Sequence, residues 1–194
     1  MSAEQLTTVS EELLHKIETR TATVGIIGMG YVGLPLAVAV FDAGFSVIGF
    51  DIDSHIITCL TSGEPYLKHF GNDFSKGLAS SDRFHATDKP DVLSDADIIL
   101  ICVPTPLGSH KEPDLSYVLN SAKNIATILR KGQLVVLEST TYPGTTRDEV
   151  LPILESSGLT RGEDFFVAYS PEREDPGRKT ESTQTIPKLV GGLD

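Results

Sequence analysis

The feature that most limits what this chain can fold into is a glycine triplet set between two apolar runs. Gly28-Met29-Gly30-Tyr31-Val32-Gly33 closes the stretch TVGIIG and opens YVGLPLAVAVFDAG. The first run reads as a buried strand, Thr23–Gly28, and the second as a helix from about Tyr31 to Ala43. In a strand that turns straight into a helix through G-x-G-x-x-G, each glycine has its own task. Gly28 permits the tight turn, Gly30 lets the backbone approach a ligand, and Gly33 allows the helix to pack closely on the strand. The helix start then presents N–H groups to a phosphate. Pro35 falls within the first turns, near positions where a missing N–H costs little.

Glycine-rich turns are common, so the motif alone is weak. Its partner is an acidic residue about 20 positions on, at the end of the next strand. Asp51 stands there, after SVIGF. A carboxylate at that point accepts the ribose hydroxyls of adenosine and repels a 2′-phosphate. No Arg or Lys occurs in residues 52–58 to hold such a phosphate, so NAD is expected rather than NADP. Asp53 is expected to cap the following helix.

The rest of the chain repeats the alternation. Strands are expected at Ser46–Asp51, Arg83–Ala86, Ile98–Val103, Leu134–Ser139 and Phe165–Ser170. Helices are expected at Ser54–Thr61, Lys89–Ser94, Leu115–Arg130 and Thr145–Ser156, and residues 62–81 read as loop with irregular helix. The run IILICV, bounded by Asp97 and Pro104, has the continuous apolar character of a strand buried on both faces. Alternating strands and helices imply right-handed βαβ units. The expected fold is α/β: a Rossmann-type doubly wound parallel sheet in three layers, αβα. Leu6, Val9, Leu13, Leu14 and Ile17 add an N-terminal amphipathic helix. Residues 1–20 are thus expected to form a leader helix, 21–194 the nucleotide-binding domain, and 187–192 a further strand or turn.

Composition narrows the function classes. Against 27 acidic residues stand 16 basic ones, a net charge of -11, which disfavours nucleic acid or an anionic membrane as partner. No apolar run approaches the roughly 20 residues of a membrane span, and no signal peptide is recognisable. With two cysteines at no metal-like spacing, a reducing, cytoplasmic setting is expected. Cys102 reads as packing inside a buried strand, and Cys59 as packing on a helix away from any histidine. His15, His55, His69, His85 and His110 show no ligand-like pairing, so no metal is expected.

Four further segments follow expected strands: Val103-Pro104-Thr105-Pro106, Glu138 to Thr146 (ESTTYPGTT), Ser170-Pro171-Glu172-Arg173, and Ile186 to Gly192 (IPKLVGG). With GMGYVGLPLA they resemble the UDP-glucose/GDP-mannose dehydrogenase family, over essentially the whole chain from Thr23. SPEREDPG and IPKLVGG are most similar to the branch that oxidises UDP-N-acetylglucosamine or related UDP-N-acetylhexosamines. Strand-end positions are also where ligands bind in an open parallel sheet. The resemblance implies a UDP-sugar substrate whose C6 alcohol is oxidised to the uronic acid in two NAD-dependent steps, for surface polysaccharide biosynthesis. It implies that Tyr31, Val32, Val103, Pro104, Thr105 and Ser139 line the cofactor with the three glycines and Asp51. The resemblance likewise implies that Thr140 touches cofactor and a reactive-site oxygen or water, that Glu172 acts on that water, and that Arg173 contacts substrate. Whether Glu174 or Asp175 supplies the second acid found in glucose-oxidising members stays open.

The family's catalytic cysteine, which captures the aldehyde as a thiohemiacetal, lies with its partner lysine and asparagine beyond Asp194. The chain is therefore expected to be the N-terminal part of a two-domain enzyme, dimeric or larger when complete, and inactive alone. The alternatives are a standalone, non-catalytic dinucleotide-binding module, or a dehydrogenase of UDP-glucose or UDP-N-acetylmannosamine. A hydroxyacid dehydrogenase of the 6-phosphogluconate type would share the first half, but the SPER and ESTTYPG segments argue against it.

Overall fold

The central strands are short and almost wholly apolar, so both of their faces must be covered. The computed structural model describes residues 8–67, 73–108, 112–171 and 188–193, with the backbone alone for 73–75. In chain order the elements are α1 (Val9–Glu18), β1 (Thr23–Ile27), α2 (Gly33–Asp42), β2 (Ser46–Phe50), α3 (Ser54–Ser62) and α4 (Asp73–Ala79). They continue with β3 (Phe84–Thr87), a 3₁₀ helix (Pro90–Asp95), β4 (Ile98–Ile101), α5 (Ser116–Ile128) and β5 (Leu134–Leu137). A π-helical segment (Thr145–Val150) running into α6 (Leu151–Glu155), β6 (Phe166–Tyr169) and β7 (Gly191–Gly192) complete the fold.

The strands form one sheet in the order β3-β2-β1-β4-β5-β6-β7. The first six are parallel, and β7 pairs antiparallel with β6 through Ala168 and Gly192 and through Tyr169 and Gly191. Side chains alternate across the sheet. Ile27, Ile99, Ile101, Val135 and Leu137 face a cluster with Val118, Ala122 and Ile125 of α5 and Leu151 and Leu154 of α6. Val24, Ile26, Val47, Leu100 and Val136 face the other layer, with Leu34 and Ala37 of α2, Leu60 of α3 and Leu78 of α4. Three layers with helices on both faces are the doubly wound architecture, with an antiparallel edge strand added.

Several strands stop short of their sequence limits. β4 ends at Ile101, so buried Cys102 lies one residue beyond the strand rather than within it. The Cys102 N–H still reaches Ile27 O at 2.8 Å, but Pro104 has no N–H with which to continue a ladder. β5 ends at Leu137 because Glu138 and Ser139 both turn their N–H groups to one acceptor, Ile101 O, at 2.9 and 3.1 Å. The expected helix after it opens as a π-helical turn, with Pro152 just beyond the junction lacking the N–H that an α-helical bond to Asp148 would need. Within residues 62–81, read as irregular, lies the seven-residue α4. Cys59 is buried as expected, but His55, one turn earlier, brings its ring nitrogens to 3.9 Å from Sγ. The thiol is therefore not remote from histidine.

α1 packs on the domain with Leu13 buried. A capping box starts it: Thr8 Oγ1 accepts from the Glu11 N–H, and Glu11 accepts from the Thr8 N–H. Its tether is Asp97 at the amino end of β4, which is itself buried. One carboxylate oxygen takes Lys16 Nζ at 2.8 Å and Arg130 Nη2 at 3.0 Å, and the other takes the Thr23 N–H at 3.0 Å. Burial pushes the Asp97 pKa up, but Lys16, the Thr23 amide and Arg130 together outweigh it and hold the group below its ordinary value. No helix among the described residues is long and apolar enough to cross a membrane.

Candidate functional site

The sheet order has its switch point at β1. The chain leaves β1 for β2 on one side and reaches β4 on the other, so the loops at their carboxyl ends diverge and open a crevice. The glycine loop sits at that point. Gly28 has φ of 92°, in the left-handed region, and its N–H donates to Phe50 O at 2.8 Å. A Cβ on Gly28 would lie 2.8 Å from Cys102 O, so the exits of β1 and β4 touch there. A Cβ on Gly33 would lie 1.8 Å from Gly28 O, which fixes that glycine as the contact of helix with strand. Gly30 is different: nothing lies within 4 Å of the place its Cβ would take, its φ is not left-handed, and no described residue accepts from its N–H. The fold explains Gly28 and Gly33 internally, whereas Gly30, in the loop at the switch point, has open space where a Cβ would go. A close-approaching pyrophosphate fits that arrangement.

Asp51 follows β2 directly, beside the loop. Its Oδ2 accepts from the Met29 N–H at 2.8 Å and its Oδ1 from the Asp53 N–H at 2.9 Å. Each oxygen keeps a further acceptor site, as ribose hydroxyls require. The carboxylate thus braces the glycine loop, which the sequence did not suggest. Asp53 caps α3 as expected, accepting from the His55 N–H at 2.9 Å. Tyr66 was also missed, because it lies in a stretch read as loop. Its hydroxyl donates to Met29 O at 2.5 Å. Burial, with the nearby Asp51 charge, raises the phenol pKa far above its usual value, so the group stays a donor. The Met29 side chain is buried, and a Cβ on Gly49 would come within 3.0 Å of its sulfur. Tyr31 is half exposed on the loop, and Val32 is partly buried against the α2 layer.

The exits of β4 and β5 supply the other wall. Val103, Pro104 and Thr105 follow β4. Ser139, after β5, donates its hydroxyl to Val103 O at 2.7 Å and lies 3.2 Å from Ile101 O. That bond ties the two exits together and leaves Thr140 exposed at the edge. Beside the Thr140 loop, a cavity of about 360 Å³ is lined by Tyr142, Arg147, Tyr169 and Leu193 among others. Buried Glu138 pairs with Lys188 across the same edge, a partnership that a separation of 50 positions hid from the sequence. The structure therefore brings Gly28, Gly30, Gly33, Asp51, Val103, Thr105, Ser139 and Thr140 to one edge. Glu172 and Arg173 lie outside the described residues, as do His69 and His110. Among the described residues, no group of three or more His, Cys, Asp or Glu side chains is arranged to hold a metal ion.

Comparison with known proteins agrees with this geometry. Residues 22–194 match the model of the UDP-glucose/GDP-mannose dehydrogenase family, NAD binding domain. The UDP-N-acetyl-D-glucosamine 6-dehydrogenase of Pseudomonas aeruginosa is 39% identical over 171 residues, which is 87% of this chain and 39% of the relative. The UDP-N-acetyl-D-mannosamine dehydrogenase of Pyrococcus horikoshii is 36% identical over 172 residues, 88% of this chain and 41% of that protein. Among solved structures, an NDP-N-acetyl-D-galactosaminuronic acid dehydrogenase from Methanosarcina mazei Go1 superposes with a TM-score of 0.84 at 33% identity, covering 97% of this chain and 42% of its own. The chain spans about two fifths of the length of the relatives it matches. α1 lies outside the matched span of the family model. With the switch-point crevice, the glycine loop and Asp51 in register, the chain belongs to the UDP-glucose/GDP-mannose dehydrogenase family, through that family's NAD-binding domain.

Proposed function

We propose that this chain is the cofactor-holding part of a nucleotide-sugar 6-dehydrogenase. Its substrate would be a UDP-N-acetylhexosamine, with UDP-N-acetylglucosamine the first choice, oxidised at C6 to the uronic acid in the cytoplasm for surface polysaccharide synthesis. The observation that carries the cofactor half is Gly30, a glycine with no internal reason to be one, beside Asp51 at the switch point. SPEREDPG, IPKLVGG and the relative from Pseudomonas aeruginosa support the N-acetylglucosamine reading, while the mannosamine relative keeps the second sugar in play.

NAD, when bound, supplies the hydride acceptor. The chain's own residues orient and enclose it. The Gly30 N–H and the start of α2 face the pyrophosphate, and Asp51 accepts the adenosine ribose hydroxyls. Tyr31 and Val32 flank the loop, and Val103, Pro104, Thr105 and Ser139 form the opposite wall. Thr140 donates to an oxygen at the reacting end, Glu172 is the carboxylate that takes a proton from a water there, and Arg173 contacts the sugar nucleotide. The nucleophilic cysteine belongs to a second domain, and the complete enzyme is a dimer or larger.

Calorimetric titration of the 194-residue chain with NADH, paired with an absorbance assay for NADH production from UDP-sugars, tests this. Binding in the micromolar-to-millimolar range without turnover is expected. No NADH binding would sink the cofactor reading, and turnover by this chain alone would refute a nucleophile supplied from elsewhere. Turnover by the complete enzyme of UDP-glucose in preference to both N-acetylhexosamines would overturn the choice of sugar.

A further inference from the structure

We propose that Tyr66 is a positioning residue for the cofactor loop: its hydroxyl sets the direction in which the Gly30 N–H points into the crevice. The inference rests on the cofactor reading above and assigns a role to a residue outside the G-x-G-x-x-G and its acidic partner.

The argument begins with the peptide unit. The Met29 carbonyl and the Gly30 N–H belong to one planar, trans peptide, so they point in opposite directions and cannot turn independently. Tyr66 Oη donates to that carbonyl at 2.5 Å. The peptide on the other side of Met29 ends in the N–H that Asp51 Oδ2 accepts at 2.8 Å. Met29 is therefore held at both backbone groups, and its buried side chain fills the space left by the missing Cβ of Gly49. Such bracing has a purpose at this place. Glycine is the residue least able to keep a fixed direction by itself, and Gly30 has open space where its Cβ would be. Without an external brace the 29–30 peptide is free to rotate, and the donor that meets the pyrophosphate loses its preset direction.

The brace suits the task in two further respects. The Tyr66 ring packs against the same apolar cluster as Met29, Leu34 and Ala37, which fixes the hydroxyl from a rigid layer. Burial also keeps the phenol protonated at any pH at which the protein would work, so the donor is permanent. An ionised oxygen there would repel the carbonyl. Asp51 and Tyr66 divide the work: Asp51 serves ribose and loop together, whereas Tyr66 contributes to the loop alone. Their removal should therefore affect different parts of the cofactor.

The test separates those parts. NADH, ADP and adenosine are titrated against the full chain carrying Tyr, Phe or 4-aminophenylalanine at position 66, with thermal melting alongside. Tyr66→Phe should weaken NADH and ADP by roughly three- to tenfold, the scale of one hydrogen bond. It should leave adenosine, which has no phosphate, within about twofold of wild type. The 4-amino variant, which restores a donor, should recover most of the loss. A general loosening of the fold would weaken adenosine as much as ADP, and that result would overturn the proposal, as would ADP affinity unchanged by Tyr66→Phe. If Tyr66→Phe does not fold, 4-fluorophenylalanine, close in shape to tyrosine but without the O–H donor, carries the same comparison. Gly30→Val reports on the parent reading. Wild-type chain that binds neither NADH nor ADP, or a Gly30→Val chain that binds both normally, sinks the cofactor site and the proposal with it. Failure confined to position 66 sinks only the role of Tyr66.

Discussion

Alanine substitutions at Gly30 and Gly33, three positions apart in the same loop, should have opposite consequences. At Gly33 the new Cβ would stand 1.8 Å from Gly28 O and 3.0 Å from Gly28 C. Real Cβ atoms are essentially never found closer than 3.0 Å to such neighbours, so α2 and β1 would have to part by about 1.2 Å, the difference between the two distances. Both obstructing atoms are backbone, and no flexible side chain can yield. Moving α2 outward also loosens Leu34 and Ala37, which are buried. Overpacking of this kind costs about 1–3 kcal/mol or more, a large part of the roughly 5–15 kcal/mol that stabilises a domain. At Gly30 the new Cβ would meet nothing within 4 Å, and the backbone is not left-handed. Alanine there should be neutral or stabilising by about 0.4–1 kcal/mol, because it restricts the unfolded chain. Yet the methyl would stand where a pyrophosphate approaches, and NADH affinity should fall by about tenfold or more, equivalent to ~1.4 kcal/mol. Thermal melting and calorimetric titration of both variants decide the matter. A Gly33→Ala protein that melts with wild type would refute the packing argument. A Gly30→Ala protein with wild-type affinity would mean that the loop does not cradle the cofactor.

Asp51→Ala should reduce NAD affinity by about 1–3 kcal/mol and should also lower stability, because the Met29 N–H loses its acceptor; unchanged melting by calorimetry would show that the loop is not braced there. Asp97 predicts a pH effect. Its folded-state pKa is depressed, so its stabilisation is full above the ordinary aspartate value of about 4 and is lost as pH falls through the folded pKa. Asp97→Asn should therefore flatten the acid limb of a melting-temperature profile below about pH 4. Wild-type acid sensitivity in that variant would place the effect elsewhere.

The glycine loop, Asp51 and the alternation of strand and helix were legible without coordinates because each is local. A tight turn, an acceptor at a strand end and the periods of 2 and 3.6 residues are properties of neighbours in the chain. The same locality let VPTP and ESTTYPGTT be placed at strand ends, where the sheet indeed puts them. Element limits were read less well, since a strand stops where its hydrogen-bond partner stops. Ile101 O accepting from both Glu138 and Ser139 is a fact about β4 that no reading of β5 contains. The pairings that finish the fold and brace the site are longer-range still. Tyr66 reaches Met29 across 37 residues, Lys188 reaches Glu138 across 50, and Lys16 reaches Asp97 across 81. None of these residues carries a local signature, because a tyrosine or lysine looks the same in the sequence whether its partner is water, a carboxylate or a backbone carbonyl. The sequence by itself determined that this chain builds a doubly wound sheet with a dinucleotide turn. Only the tertiary structure decided how that turn is held, and which of its glycines faces outward, because those depend on atoms brought together by the sheet rather than by the chain.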